Sequence, residues 1–181
     1  MLTRISGRFQ SWARGWQILA LFATFVVYLT ITLPILQAAP GGSIVSLDAQ
    51  LFYTPEEAFS TVGSYGDATS FWVCMYITWD VVTPILYSLA FGLLISWLFQ
   101  RSFKSGSKLQ KLNLVPVGAG LFDLLENFSI VIMLLTYPAQ YTVVAWLSTV
   151  FTMSKVILLG ASILLVLIGL VGAALKRFKK Q

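Results

Sequence analysis

The chain has 181 residues, of which 57% are hydrophobic, 14% aromatic and 10% charged, with 12 Lys+Arg against 7 Asp+Glu and a net charge of +5. A soluble domain carries about 25% charged residues, so this composition excludes a soluble globular fold and predicts an all-α integral membrane protein. The absence of histidine and the single Cys74 exclude an internal disulfide, His-ligated haem and the usual zinc sites, and no cofactor is expected.

The stretch from Met1 to Gly15 is a polar arm with Arg4, Arg8 and Arg14. Ile5, Phe9 and Trp12 make it an amphipathic segment suited to a membrane surface. The apolar run over about 16–36 has the length of a membrane span. It is longer than the core of a signal peptide, and Gln37-Ala38-Ala39-Pro40 is a poor cleavage site, so it is read as a retained helix. The outer segment, 37–69, opens on the turn Pro40-Gly41-Gly42-Ser43. Thr54-Pro55-Glu56-Glu57 then combines an N-cap, a proline at the first helical position and a capping-box glutamate. This predicts a short helix from Pro55 to about Val62 that stops at Gly63. Gly66-Asp67 marks a second turn. The preferred reading of this segment is a linker with one ordered turn, its Leu51, Phe52, Tyr53 and Phe59 resting on the membrane surface; the sharper one is a small lid over one mouth of the helices.

The second span, about 71–99, contains Asp80 and Pro84. Tyr76, Asp80, Thr83 and Tyr87 recur at i, i+4, i+7 and i+11, a polar stripe that could line a pocket but is read first as an internal packing face. Pro84 removes the hydrogen bond to the Asp80 carbonyl and predicts a kink beside the acid. A basic loop with Arg101, Lys104, Lys108, Lys111 and the flexible Ser105-Gly106-Ser107 leads to the third span, about 114–137. There Asp123, Glu126 and Asn127 share one helix face. A carboxylate at the bilayer centre costs at least about 2.5–3.5 kcal/mol, so this face must be covered by other helices. After the tight turn Tyr137–Tyr141, the fourth span, about 141–175, holds Lys155 and three glycines, Gly160, Gly169 and Gly172, expected to allow close helix contact. Lys176, Arg177, Lys179 and Lys180 follow. One membrane domain, 1–181, is expected, built as a four-helix bundle with a short extracytoplasmic helix between the first two spans.

Spans three and four are antiparallel about Ala139, and residues equidistant from the turn lie at equal depth. Asp123 is sixteen residues before Ala139 and Lys155 sixteen after it, and Thr152 is level with Glu126. Measured from Tyr137 and Tyr141, the Asp123 and Lys155 positions are about 21 Å deep at 1.5 Å per residue. A buried ammonium needs a partner, so Asp123, Glu126, Asn127 and Lys155 are read as a polar centre, with Asp80 added to it from a position nearer the outer side. Tyr76, Thr83, Tyr87 and Thr152 are its candidate lining. Fully ionised, Asp80, Asp123 and Glu126 outnumber Lys155 by two charges, so at least one acid is expected to be neutral or to be matched by a cation.

The basic residues also set an orientation. They precede span one, fill the loop after span two and end the chain, whereas the outer segment carries Asp48, Glu56, Glu57 and Asp67 and no base. Both termini are therefore expected on the cytoplasmic side. The bases border a bilayer, which argues against nucleic acid and for membrane lipids as neighbours.

The series Tyr53-Thr54-Pro55-Glu56-Glu57-Ala58, Gly63 and Gly66, Asp80 with Pro84 and Tyr87, and Pro116 with Asp123 and Glu126-Asn127 resembles the pattern of a family of four-helix bacterial integral membrane proteins of unknown function. The likeness covers about Tyr53 to Lys155. Asp67 stands where that pattern often has arginine, so an outer site built on the arginine is not implied. The resemblance implies the bundle architecture and a bacterial inner-membrane setting, and no activity.

No nucleotide-binding loop, nucleophile elbow or metal motif is present. The expected function is that of a non-catalytic multi-pass protein, an accessory or structural subunit or a binder of a lipid-like ligand. Its partners would be membrane lipids and either other membrane subunits or further copies of itself. The alternatives are a small oligomeric proton- or ion-coupled carrier and, last, an intramembrane enzyme using paired carboxylates.

Overall fold

The computed structural model describes residues 2–38, 46–104 and 106–178; the Pro40-Gly41-Gly42-Ser43 turn, Ser105, Lys179 and Lys180 lie outside the described residues. Among the described residues the regular structure is helical throughout: α1 (Leu2–Trp12), α2 (Gly15–Gln37), α3 (Pro55–Ser64), α4 (Thr69–Ile77), α5 (Trp79–Ser102), α6 (Val115–Thr136) and α7 (Thr142–Phe178). Short 3-10 turns occupy Leu47–Ala49, Gly66–Ala68 and Lys108–Leu114. Four helical stretches are long and apolar enough to cross a membrane: Gly15–Gln37, Gly66–Ser102, Lys108–Thr136 and Thr142–Phe178.

The start of α3 carries its capping box in full. The Thr54 hydroxyl accepts from the Glu57 N–H at 3.3 Å, and Glu57 Oε2 accepts from the Thr54 N–H at 2.7 Å. The helix does not stop at Gly63 as expected but runs on to Ser64. Gly63 serves close approach instead, since a Cβ there would meet the Tyr137 hydroxyl at 2.7 Å. The left-handed turn falls at Gly66, with φ +47.

The second long stretch also breaks elsewhere than expected. α4 and α5 are separated at Thr78 (φ −117, ψ −76), and α5 runs uninterrupted through Pro84. Proline at 84 leaves the Asp80 carbonyl without its intrahelical donor. Asn127 Nδ2 from α6 donates to that carbonyl at 3.4 Å, so the deficit is met across the helix interface rather than by ending the helix.

α5, α6 and α7 pack on one another, α2 lies against α5, and α1 rests on α5 and the Lys108–Leu114 turn. The amphipathic arm thus lies partly on protein: Ser6 is buried, and the Phe9 ring occupies the space that a side chain at Gly92 would need. α5 and α7 approach closely where Gly169 faces Leu98 and Gly172 faces Ser102, at 2.7 and 2.8 Å from a notional Cβ. Gly160, expected to do the same, has nothing within 4 Å and is exposed, because it points away from both neighbouring helices.

Two apolar clusters result. One gathers Tyr53, Phe59, Val62, Tyr65, Trp72 and Tyr76 with Ile130, Met133, Leu134 and Ala145. The other, toward the opposite ends of the helices, is Ile95, Leu98 and Phe99 with Leu165 and Val166. The expectation that Tyr53 and Phe59 rest on the membrane surface is therefore corrected: they are 0% and 4% exposed, inside the protein, while Leu51 and Phe52 do remain outside. The segment before α4 is a packed part of the core and not merely a linker.

Candidate functional site

Between the two apolar clusters lies a layer of polar side chains from α5, α6 and α7. α6 turns Asp123, Glu126 and Asn127 inward on one face, and all three are buried. Lys155 of α7 meets them: its Nζ donates to Asp123 Oδ1 at 3.2 Å and contacts Glu126 Oε2 at 2.5 Å. The remaining oxygens are also engaged. Tyr87 of α5 donates to Asp123 Oδ2 at 3.0 Å, and Thr152 donates to Glu126 Oε1 at 2.6 Å. One cation is thus held by two acids, each with a hydroxyl donor, which is the arrangement that offsets the desolvation of buried charge.

The layer continues into the segment before α3. Tyr53 donates to Ser148 Oγ at 2.6 Å, and Thr149 donates to the Tyr53 carbonyl at 2.8 Å. Burial raises the Tyr53 phenol above its ordinary range and pushes that of Tyr65 up to about 12, so both remain neutral at physiological pH.

The stripe Tyr76, Asp80, Thr83 and Tyr87 is divided by the break at Thr78. Only Tyr87 reaches the Asp123–Glu126–Lys155 group. Tyr76 donates to Asp48 Oδ1 at 2.8 Å. Thr83 pairs with the Tyr28 hydroxyl of α2 at 3.1 Å, and Tyr28 donates to the Trp79 carbonyl. Asp80, half-buried, borders a separate cavity of about 40 Å³ with Asp48, Tyr28, Thr32 and Tyr76. Asn127 touches α5 through the Asp80 backbone rather than through the lysine.

Comparison with protein-family models, with curated proteins and with solved structures gave no match. The likeness to four-helix bacterial membrane proteins accordingly rests on the short motifs that suggested it.

Two further polar groups escaped the sequence reading. Asp48 meets Tyr76 although 28 residues separate them, a pairing that no local pattern announces. At the other end Asn113 Nδ2 donates to Ser96 Oγ at 2.8 Å and to the Ser6 carbonyl at 3.1 Å, while Ser6 Oγ donates to the Gln110 carbonyl at 3.3 Å. These bonds tie α1 to α5 and to the turn before α6. Asn113 and Gln110 adjoin a basic loop in the sequence, yet they are 0% and 7% exposed.

Chemically, the central group is suited to holding helices in register. No group of three or more Cys, Asp or Glu among the described residues is arranged to hold a metal ion.

Proposed function

We propose that the chain is a non-catalytic multi-pass membrane protein acting as an accessory or structural subunit, its four spans forming a bundle locked by the Asp123–Glu126–Lys155 group. One observation carries this reading: Lys155 and both acids are bonded to one another and to the Tyr87 and Thr152 hydroxyls within the protein, and the cavities beside Asp80, beside Pro84, beside Trp79 and at the ends of α5 and α7 are lined by none of the three. An enzyme or carrier acting through these acids needs them to face a passage. A buried group specifying helix register needs the opposite, enclosure and bonding partners within the protein.

The distribution of bases supports an orientation with both termini cytoplasmic and α3 extracytoplasmic, and the motif resemblance supports a bacterial inner membrane as the setting. Single cysteines introduced at Ser46 and Ser64 are expected to label from outside, and those at Ser107 and Gln181 only after permeabilisation; external labelling at Ser107 reverses the orientation. Native mass analysis of the chain extracted from its own membrane tests the role. A stoichiometric partner subunit is the expected result. A homo-oligomer that moves protons in liposomes, with flux abolished by Glu126→Gln, would replace this reading with a carrier.

A further inference from the structure

We propose that the groove between the C-terminal ends of α5 and α7 binds the headgroup of an anionic phospholipid. The groove encloses about 1130 Å³. Among the described residues Arg101, Lys176 and Arg177 line it with no acid beside them, and Trp97, Leu170 and Phe178 contribute apolar wall. Three cations converging on one groove need compensation. Two helix C-termini end here and supply about half a negative charge each, which leaves roughly two positive charges unmatched.

The groove is held open by packing. Ser102 Oγ donates to the Gly169 carbonyl at 2.7 Å, pinning the last residue of α5 to α7, which runs on to Phe178. The Arg101 guanidinium lies 3.7 Å from the centre of the Trp97 ring and donates one N–H to the Trp97 carbonyl at 3.0 Å. Its position is set while other donors stay free for phosphate oxygens. α6 covers α7 only as far as its own first turns, where Gly118 faces Leu158. Beyond that level Leu167, Val171 and Leu175 of α7 are exposed, an apolar surface continuous with the cationic end. Phosphate at the cations and acyl chains along this surface match both halves of a phospholipid, whereas a free phosphate would leave the apolar half uncovered.

The inference rests on the membrane placement proposed above, and the two fail separately: cysteine labelling tests the placement, lipid retention the groove. The experiment is native mass spectrometry of the full chain in detergent with phosphatidylglycerol or phosphatidylcholine added. Phosphatidylglycerol is expected to be retained selectively. The triple variant Arg101→Gln, Lys176→Gln, Arg177→Gln should weaken that retention by about a hundredfold. The triple variant Lys104→Gln, Lys108→Gln, Lys111→Gln removes as many charges from the neighbouring loop and should leave retention near wild type. Equal retention of the two lipids, or equal weakening by the two variants, overturns the site in favour of diffuse attraction. Displacement of the lipid by millimolar inorganic phosphate overturns it in favour of a simple anion site.

Discussion

Replacing Lys155 by Met removes the cation 3.2 Å from Asp123 and 2.5 Å from Glu126 and strands two carboxyl groups in the interior. Breaking a buried pair by removing one partner costs about 3–5 kcal/mol, more than replacing the pair by apolar groups. Lys155→Met is therefore expected to lower thermal stability in detergent more than Lys155→Met combined with Glu126→Gln. Strict additivity in this cycle would mean that the two side chains do not interact. The Asn127 amide offers a second cycle. Asn127→Leu leaves the Asp80 carbonyl without its donor, at a cost of about 1–3 kcal/mol. In a Pro84→Ala background the residue 84 amide can bond that carbonyl, so the same Asn127→Leu change should cost less. An unchanged cost would show that Asn127 acts through some other contact.

Among the helices, the pairing of α5 with α7 depends on two small residues. A side chain at Gly169 would begin 2.7 Å from the Leu98 Cβ, and at Gly172 2.8 Å from the Ser102 Cβ. Gly169→Leu should separate the helices and lower the melting temperature sharply, by an overpacking cost of about 1–3 kcal/mol or more. Gly160→Ala, in open space on the same helix, should be neutral or slightly stabilising because alanine favours helix by about 1 kcal/mol. A comparable loss at both positions would contradict the packing at Gly169. α3 belongs to this scale too: its capping box sets where it begins, but its place follows from Phe59 and Val62 packing beside Ile130 and Ala145.

For the molecule as a whole, polar and apolar layers alternate along the helices. The Asp123–Glu126–Lys155 layer separates the cluster around Trp72 from that around Phe99, and the Ser6–Gln110–Asn113–Ser96 bonds fasten α1 beside the second cluster. A helix pair held only by apolar contacts can slide in a lipid environment at modest cost. A slide that separates Lys155 from Asp123 instead exposes charge to an apolar surrounding. The whole assembly is thus expected to melt as one cooperative unit, and near-ultraviolet circular dichroism of the tryptophans should lose its signal together with the helical signal. Two resolved transitions would mean that the layers unfold independently.

Much of this was written in local sequence. Composition dictates a membrane protein because apolar length is a sum over neighbours, and the four long apolar helices follow from it. The α3 start is equally local, as are the shared face of Asp123, Glu126 and Asn127 and the equal distance of Asp123 and Lys155 from the turn. Tertiary structure alone decided which faces meet. Successive helical residues turn by about 100°, so the small break at Thr78 separates Tyr76 from Tyr87 and sends one to Asp48 and the other to Asp123. Likewise hydropathy gives Tyr53 and Phe52 similar standing, yet one is 0% and the other 54% exposed, because only Tyr53 finds Ser148 and Thr149 of α7 across 95 or more residues of chain. Burial against a distant partner is a property of the packed helices, and no window of sequence contains both sides of it.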